Sequence, residues 1–218
     1  MNDACPGGVR TCLILANGAA PGKRFVRAMA HSADVVIATD GAASCMLAMG
    51  VQPNYVVGDF DSIEPTTLSQ LVPSSLVHLP DQDRCDLEKA IEHARSLGCT
   101  KVVLTGVLGK RVDHELTALS LLIRYAEAMD IRIAEPGLEM IPVTARAEIR
   151  GQSGEILSLV ALAPVKGVTV TGVQWPLEAE DLWPGSRGVS NVLTENVATI
   201  TVTEGCLLAC HLKRAPVG

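Results

Sequence analysis

The first 135 residues alternate short aliphatic runs with stretches of helical periodicity, and this alternation constrains the fold more than any other feature of the sequence. The runs Thr11–Ala16, Asp34–Ala38, Asn54–Val57, Ser75–Leu79, Lys101–Thr105 and Ile131–Ala134 read as strands. Helical spacing runs through Lys23–His31, Gly41–Met49, Asp86–Leu97 and His114–Met129. In the third, Leu87, Ala90, Ile91 and Ala94 share one face while Glu88, Lys89, Glu92 and Arg95 take the other. In the last, Leu116, Leu119, Leu122, Ile123 and Ala126 are expected to face inward. Strands alternating with helices in this way predict an N-terminal α/β domain with a mostly parallel sheet and helices on both faces.

Beyond residue 136 the texture changes. Gly, Pro, Thr and Val rise, and the short runs Ile156–Ala161, Val168–Gly172, Val197–Val202 and Leu207–Leu212 sit between turn residues. No convincing helix of ten residues remains. This half reads as an all-β sandwich domain of about 80 residues. Glu135-Pro136-Gly137 marks the expected boundary, giving domains at 1–136 and 137–218.

Composition excludes several classes. With 218 residues, 48% hydrophobic, the chain can bury a core without disulfide staples. A net charge of −6 argues against general nucleic-acid binding, which rests on clustered Lys and Arg. No apolar run approaches the ~20 residues of a membrane span; the longest, Ile156–Val165, contains a Ser and a Pro. Thr11–Ala16 is too short for the ~7–15-residue apolar region of a secretory signal and follows no basic cluster. The seven cysteines, at 5, 12, 45, 85, 99, 206 and 210, show no Cys-x-x-Cys pair. Alternation along Cys206–Leu212 suits a strand with buried thiols better than a metal site with His211. Free thiols in this number imply a reducing, cytoplasmic setting.

Seven of the eleven aspartates, at 40, 59, 61, 81, 83, 86 and 113, fall where a predicted strand ends or a helix begins. In a doubly wound sheet, ligands bind beyond the carboxyl ends of the strands. Like charges gathered there repel unless a cation neutralises them, and oxygen-only ligands suit Mg²⁺. In Val57-Gly58-Asp59-Phe60-Asp61-Ser62, an extended backbone would aim both carboxylates one way and Phe60 into the core; a turn with Asp side chains capping amides is the alternative. Asp81, Asp83 and Asp86 precede a helix that one cap would satisfy, with Asp86 placed as that cap. In Gly109-Lys110-Arg111-Val112-Asp113-His114, Asp113 can cap the next helix, while Arg111 offers a planar fork and Lys110 a second charge for phosphate. His114 is either a first-turn residue or a catalytic one. Trp175, before a Pro, is either an aromatic platform for a flat ligand or part of the core. No phosphate-loop, dinucleotide or Gly-x-Ser-x-Gly signature occurs.

The fragments Asp40-Gly-Ala-Ala, Gly58-Asp-Phe-Asp-Ser62, Asp81-Gln-Asp-Arg-Cys-Asp-Leu-Glu-Lys-Ala90, Gly109-Lys-Arg-Val-Asp-His114, Gly172-Val-Gln-Trp-Pro-Leu177 and Ser190-Asn191 follow one another as in thiamine pyrophosphokinases. The chain resembles that family from about residue 10 to residue 213. The resemblance implies an α/β catalytic domain binding nucleotide and metal, and a β-sandwich binding thiamine. It implies a homodimer with sites at domain and subunit interfaces. The reaction implied is transfer of the pyrophosphoryl group of ATP to the hydroxyl of thiamine, giving thiamine diphosphate and AMP with Mg²⁺. By similarity Asp59, Asp61 and Asp86 would hold the metal. Gln82, Arg111 and Asp113 would meet the phosphates or the thiamine hydroxyl, with Asp40, Asp83, Lys110 and His114 also lining the substrates. Trp175, Ser190 and Asn191 match the segment that receives the pyrimidine. Arg111 would offset phosphate charge, and Asp61 or Asp113 would accept the hydroxyl proton.

The sequence departs from the family pattern at four points. Asp-Gly-Gly becomes Asp40-Gly41-Ala42, the glycine before the arginine becomes Lys110, the usual threonine becomes Cys85, and an asparagine after the histidine becomes Ala118. Lys110 therefore needs a backbone angle open to a side chain, and Cys85 lacks a hydroxyl contact. Two further readings stand beside the kinase: a Mg²⁺-dependent phosphohydrolase of a nucleotide or phosphate ester, and a non-catalytic binder of thiamine or nucleotide.

Overall fold

The computed structural model describes residues 8–61 and 63–214; Cys5 and Ser62 lie outside the described residues. The chain divides between Ala118 and Leu119 into two compact units. In the first, β1 (Thr11–Leu15), β2 (Val35–Thr39), β3 (Tyr55–Gly58), β4 (Leu76–His78) and β5 (Lys101–Thr105) pair in parallel, in the order β5-β1-β2-β3-β4. Their β-branched runs are buried almost throughout, as a sheet covered on both faces requires. Between the strands lie α1 (Lys23–His31), a 3-10 turn at Asp40–Ala42 leading into α2 (Ala43–Ala48), the short α3 (Pro65–Leu68), α4 (Asp86–Ser96) and the start of α5 (Val112–Tyr125).

Helix α4 packs over β1, β2 and β3 through Leu87, Ala90, Ile91 and Ala94, the face its spacing predicts. Burying Leu87 and Ile91 contributes about 1.5–3 kcal/mol each. Its expected polar face is not wholly solvated, however, because Glu88 and Lys89 are buried. In α5, Ala118, Leu121, Leu122 and Tyr125 are buried; of the five residues expected to face inward only Leu122 is among them, with Leu119, Ile123 and Ala126 half-buried and Leu116 61% exposed. The inward stripe is therefore rotated from the expected one, and the first turn serves the site described below.

The second unit is antiparallel throughout. Strands β6 (Asp130–Glu135), β7 (Leu138–Val143), β8 (Arg146–Arg150), β9 (Ile156–Val160), β10 (Val165–Thr171), β11 (Leu177–Leu182), β12 (Asn191–Val192), β13 (Val197–Thr201) and β14 (Leu207–Leu212) form two layers. One runs β12-β9-β14-β7-β6 and the other β11-β10-β13-β8. Both contribute to one aliphatic core, with Val143, Leu157, Leu159 and Leu207 from the first layer meeting Ile149, Val168, Val170 and Ile200 from the second. The predicted strand at Ile131–Ala134 lies in β6, which turns back through Pro136-Gly137 to pair with β7. Cys210 and His211 lie on β14; the histidine is buried against Glu155 (Nε2 to Oε2, 2.8 Å) rather than grouped with the thiols.

Candidate active site

The order β5-β1-β2-β3-β4 reverses direction between β1 and β5, so a crevice opens beyond their carboxyl ends. The loops leaving these two strands are held together by backbone bonds: the amides of Ala16, Gly18 and Ala19 donate to the carbonyls of Thr105 (2.9 Å), Gly106 (2.5 Å) and Leu108 (2.6 Å). A Cβ at Gly18 would collide with the Gly106 and Leu108 carbonyl oxygens, so only glycine permits this approach. The crevice holds a cavity of about 360 Å³, lined among others by Asn17, Asp40, Asp86, Lys110, Arg111 and Asp113.

Strands β2 and β3 deliver the acidic side of this edge. Carboxylate oxygens of Asp40, Asp59 and Asp61 lie within 4.8 Å of one another. Of the two paths open to Asp59-Phe60-Asp61 the chain takes the turn, with the Asp61 amide donating to Asp59 Oδ1 (3.3 Å), and not the extended one. Phe60 is left-handed (φ 64°), half-buried and stacked on the His78 ring at 5.6 Å, so the chain turns rather than alternating. Asp40, buried at the end of β2, receives the Gly41 amide (2.5 Å) and the Phe60 amide (3.1 Å), tying the two loops together. A Cβ at Gly58 would press on the Asp40 carboxylate, which explains the glycine before Asp59.

Burial, and then the charge of Asp86, raise the Asp40 pKa. The charge of Asp59 raises that of Asp61. Asp59 is lowered instead, chiefly by the Gln82 amide, whose Nε2 donates to Oδ2 at 3.2 Å. Asp86 does not cap α4: Cys85 holds the cap position without a side-chain bond, and Asp86, in the first turn, pairs with Lys89 (Oδ1 to Nζ, 3.2 Å). Lys89 is 2% exposed, and its charge favours ionisation of Asp59, Asp61 and Asp81. Helical spacing alone puts it on the solvated face. The i, i+3 spacing from Asp86 was the available signal. Asp83 donates its amide to Asp81, whose carboxylate also binds Arg84 (2.7 Å).

The cationic side comes from the loop after β5. Gly109 takes the left-handed angle (φ 87°), leaving Lys110 outside that region, so the departure from glycine at 110 carries no backbone strain. Lys110 Nζ donates to Asn17 Oδ1 (2.9 Å) across the crevice. Arg111 grips both oxygens of Asp113 through Nε (3.1 Å) and Nη2 (2.5 Å), holding that carboxyl at about 2. Asp113 therefore orients the guanidinium from inside α5 rather than capping the helix. His114 lines the same cavity and is exposed.

In the second unit Trp175 is 53% exposed, which overturns its reading as a core residue. It borders a cavity of about 380 Å³ with Leu177, Arg187 and Asn191. Asn191, 4% exposed, locks the segment: Oδ1 accepts the Trp175 amide (3.0 Å) and Nδ2 donates to the Trp175 carbonyl (2.6 Å). Ser190 is left-handed (φ 61°) and donates its amide to Ser158 Oγ (2.9 Å).

Fold and site together define a two-part chain, a parallel α/β unit carrying facing acidic and cationic groups and an antiparallel β unit carrying an exposed aromatic. Residues 26–134 match the family model for the thiamin pyrophosphokinase catalytic domain, and residues 144–207 the model for its vitamin B1 binding domain. The chain belongs to the thiamine pyrophosphokinase family. Thiamine pyrophosphokinase 1 of Arabidopsis thaliana is 26% identical over 97% of this chain and 90% of its own length. Thiamine pyrophosphokinase of Bacillus subtilis is 25% identical over 79% of this chain and 84% of its own. The crystal structure of a Bacillus subtilis thiamine pyrophosphokinase superposes with a TM-score of 0.83 over 94% of this chain and 100% of that one, at 21% identity. The Candida albicans structure gives 0.80 over 94% and 90%, at 13% identity. At these identities the superpositions speak for the fold alone.

Proposed function

We propose that the chain transfers the pyrophosphoryl group of ATP to the hydroxyl of thiamine, forming thiamine diphosphate and AMP. The observation that carries this reading is the meeting of Asp40, Asp59 and Asp61, with Asp40 also lining the cavity that holds Lys110 and Arg111, in a chain of this family. An all-carboxylate donor set fits Mg²⁺, a hard cation that keeps positions open for phosphate oxygens. Asp59 and Asp61 would hold it with Asp40, whereas Asp86, the third ligand the resemblance implies, is paired with Lys89 and acts on Asp40 through its charge. Bound there, Mg²⁺ would neutralise phosphate charge.

The chain's own residues supply position and charge. Arg111 presents a planar fork already oriented by Asp113, and Lys110 adds a second cation at the mouth of the crevice. Gln82, anchored on Asp59, offers its amide to the phosphates or the acceptor hydroxyl. Both oxygens of Asp113 are occupied by Arg111, whereas Asp61 faces Asp59. Asp61 is therefore the carboxylate assigned to take the hydroxyl proton. Trp175 offers its exposed ring to the thiamine pyrimidine, with the backbone around it fixed by Asn191 and Ser190. Such a transfer draws its rate mainly from positioning and charge neutralisation.

The same reading includes a cytoplasmic homodimer whose partner subunit completes the thiamine site. Its supports are the free state of the described cysteines and the exposed Val112 and Leu116 at the start of α5. Among the described residues no helix is long and apolar enough to cross a membrane. The functional division is placed at 136–137. The test is to incubate the protein with ATP, Mg²⁺ and thiamine and separate the products by chromatography. AMP and thiamine diphosphate are expected in equal amounts. Orthophosphate with unmodified thiamine would establish a phosphohydrolase, and saturable binding without AMP a non-catalytic binder.

A further inference from the structure

Among the described residues, the cavity beside Trp175 has one charged side chain in its lining, Arg187. Its guanidinium is held by Glu180, with Nε donating to Oε2 (3.1 Å) and Nη2 to Oε1 (2.8 Å) and Oε2 (2.9 Å). Glu180 is aimed there by an irregular strand. The pairing of β10 with β11 shifts register between Val168 and Val170, and Ala179 in the shifted segment is left-handed (φ 50°), its amide held by Thr169 Oγ1 (3.0 Å). An alanine in that conformation is held only where its surroundings fix it, and bulges of this kind re-aim a neighbouring side chain. Here the side chain that follows the strained residue is Glu180, and its target is the cation of the cavity wall.

We infer that Glu180 determines ligand specificity at the Trp175 cavity by neutralising Arg187, so that an aromatic ligand with a fixed positive charge is admitted. This rests on the reading that the cavity takes thiamine, whose thiazolium ring is permanently cationic and whose aminopyrimidine ring is neutral. Arg187 alone would repel the thiazolium, and with Glu180 in place the wall has no net charge. Both side chains are partly solvated, so the effect is moderate and sensitive to salt.

The experiment titrates thiamine, and separately a neutral aminopyrimidine lacking the thiazolium ring, by quenching of tryptophan fluorescence. Glu180→Gln keeps an acceptor for Arg187 but removes the charge. It is expected to weaken thiamine binding roughly two- to fivefold at low ionic strength while leaving the neutral analogue unchanged. The loss should shrink in about 0.5 M salt. The double variant Glu180→Gln/Arg187→Gln should restore thiamine binding, which a merely structural role for Glu180 would not predict. Equal weakening of both ligands, failure of the double variant to restore binding, or undisturbed thiamine binding in Glu180→Gln would overturn the inference alone. Absence of saturable thiamine binding in the parent protein would instead remove the functional reading, and this inference with it.

Discussion

Asp40 and Asp61 hold protons more tightly in the folded chain than their ordinary values would allow, Asp40 through burial and the charge of Asp86, Asp61 through the charge of Asp59. A raised carboxyl pKa means that the associated stability is fully present below the unfolded value and is lost as pH rises through the folded one. At neutral pH Asp40 and Asp61, unlike Asp59, therefore oppose folding until a cation balances them. Asp61→Asn is expected to raise the melting temperature of the metal-free protein at pH 7 while abolishing the further rise that Mg²⁺ produces in the parent. A variant that melts lower and still responds fully to Mg²⁺ would contradict this. The pairing of Asp59 with Asp61 was legible in the sequence because spacing and residue type suffice for it. The role of Asp40 beside them was not, since it depends on the turn at Phe60 and on the room that Gly58 leaves. Lys89 was misread because periodicity sees a charge on a helix and cannot see the acidic loops folded over it.

Helix α4 shows what one departure from the family pattern does to an element. Cys85 has the extended conformation of a cap residue (φ −73°, ψ 159°) but makes no side-chain cap bond, so the first amides of α4 lack that partner at the edge of the cavity. Cys85→Thr supplies a hydroxyl there and is expected to stabilise the fold by about 0.5–1 kcal/mol, a rise of about 2 °C in thermal midpoint by calorimetry. No change, or a fall, would show that the thiol fills a space a hydroxyl cannot. The central strands were legible because a sheet covered on both faces demands continuous aliphatic runs. Strands β7, β8 and β11 escaped because charged residues interrupt them, as in Arg146–Arg150, where only Ile149 is fully buried. The first turn of α5 misled in the opposite sense: Leu116 continues the apolar spacing into a segment committed to Asp113 and His114.

For the molecule as a whole, the change from period 3.6 to period 2 in the second half was enough to read an α/β unit followed by an all-β one. What could not be read was the set of approaches between loops far apart in sequence, such as Lys110 to Asn17 and Phe60 to Asp40, which turn scattered motifs into a site. On the proposed function, these loops gather one cation-dependent pocket for a triphosphate. Calorimetric titration of a non-hydrolysable ATP analogue across a Mg²⁺ series, on the parent protein and on Asp59→Asn and Asp61→Asn, tests it most directly. Mg²⁺-dependent binding is expected in the parent, with a loss of roughly tenfold or more in both variants at every Mg²⁺ concentration. Binding that ignores Mg²⁺, or variants that match the parent across the series, would contradict it.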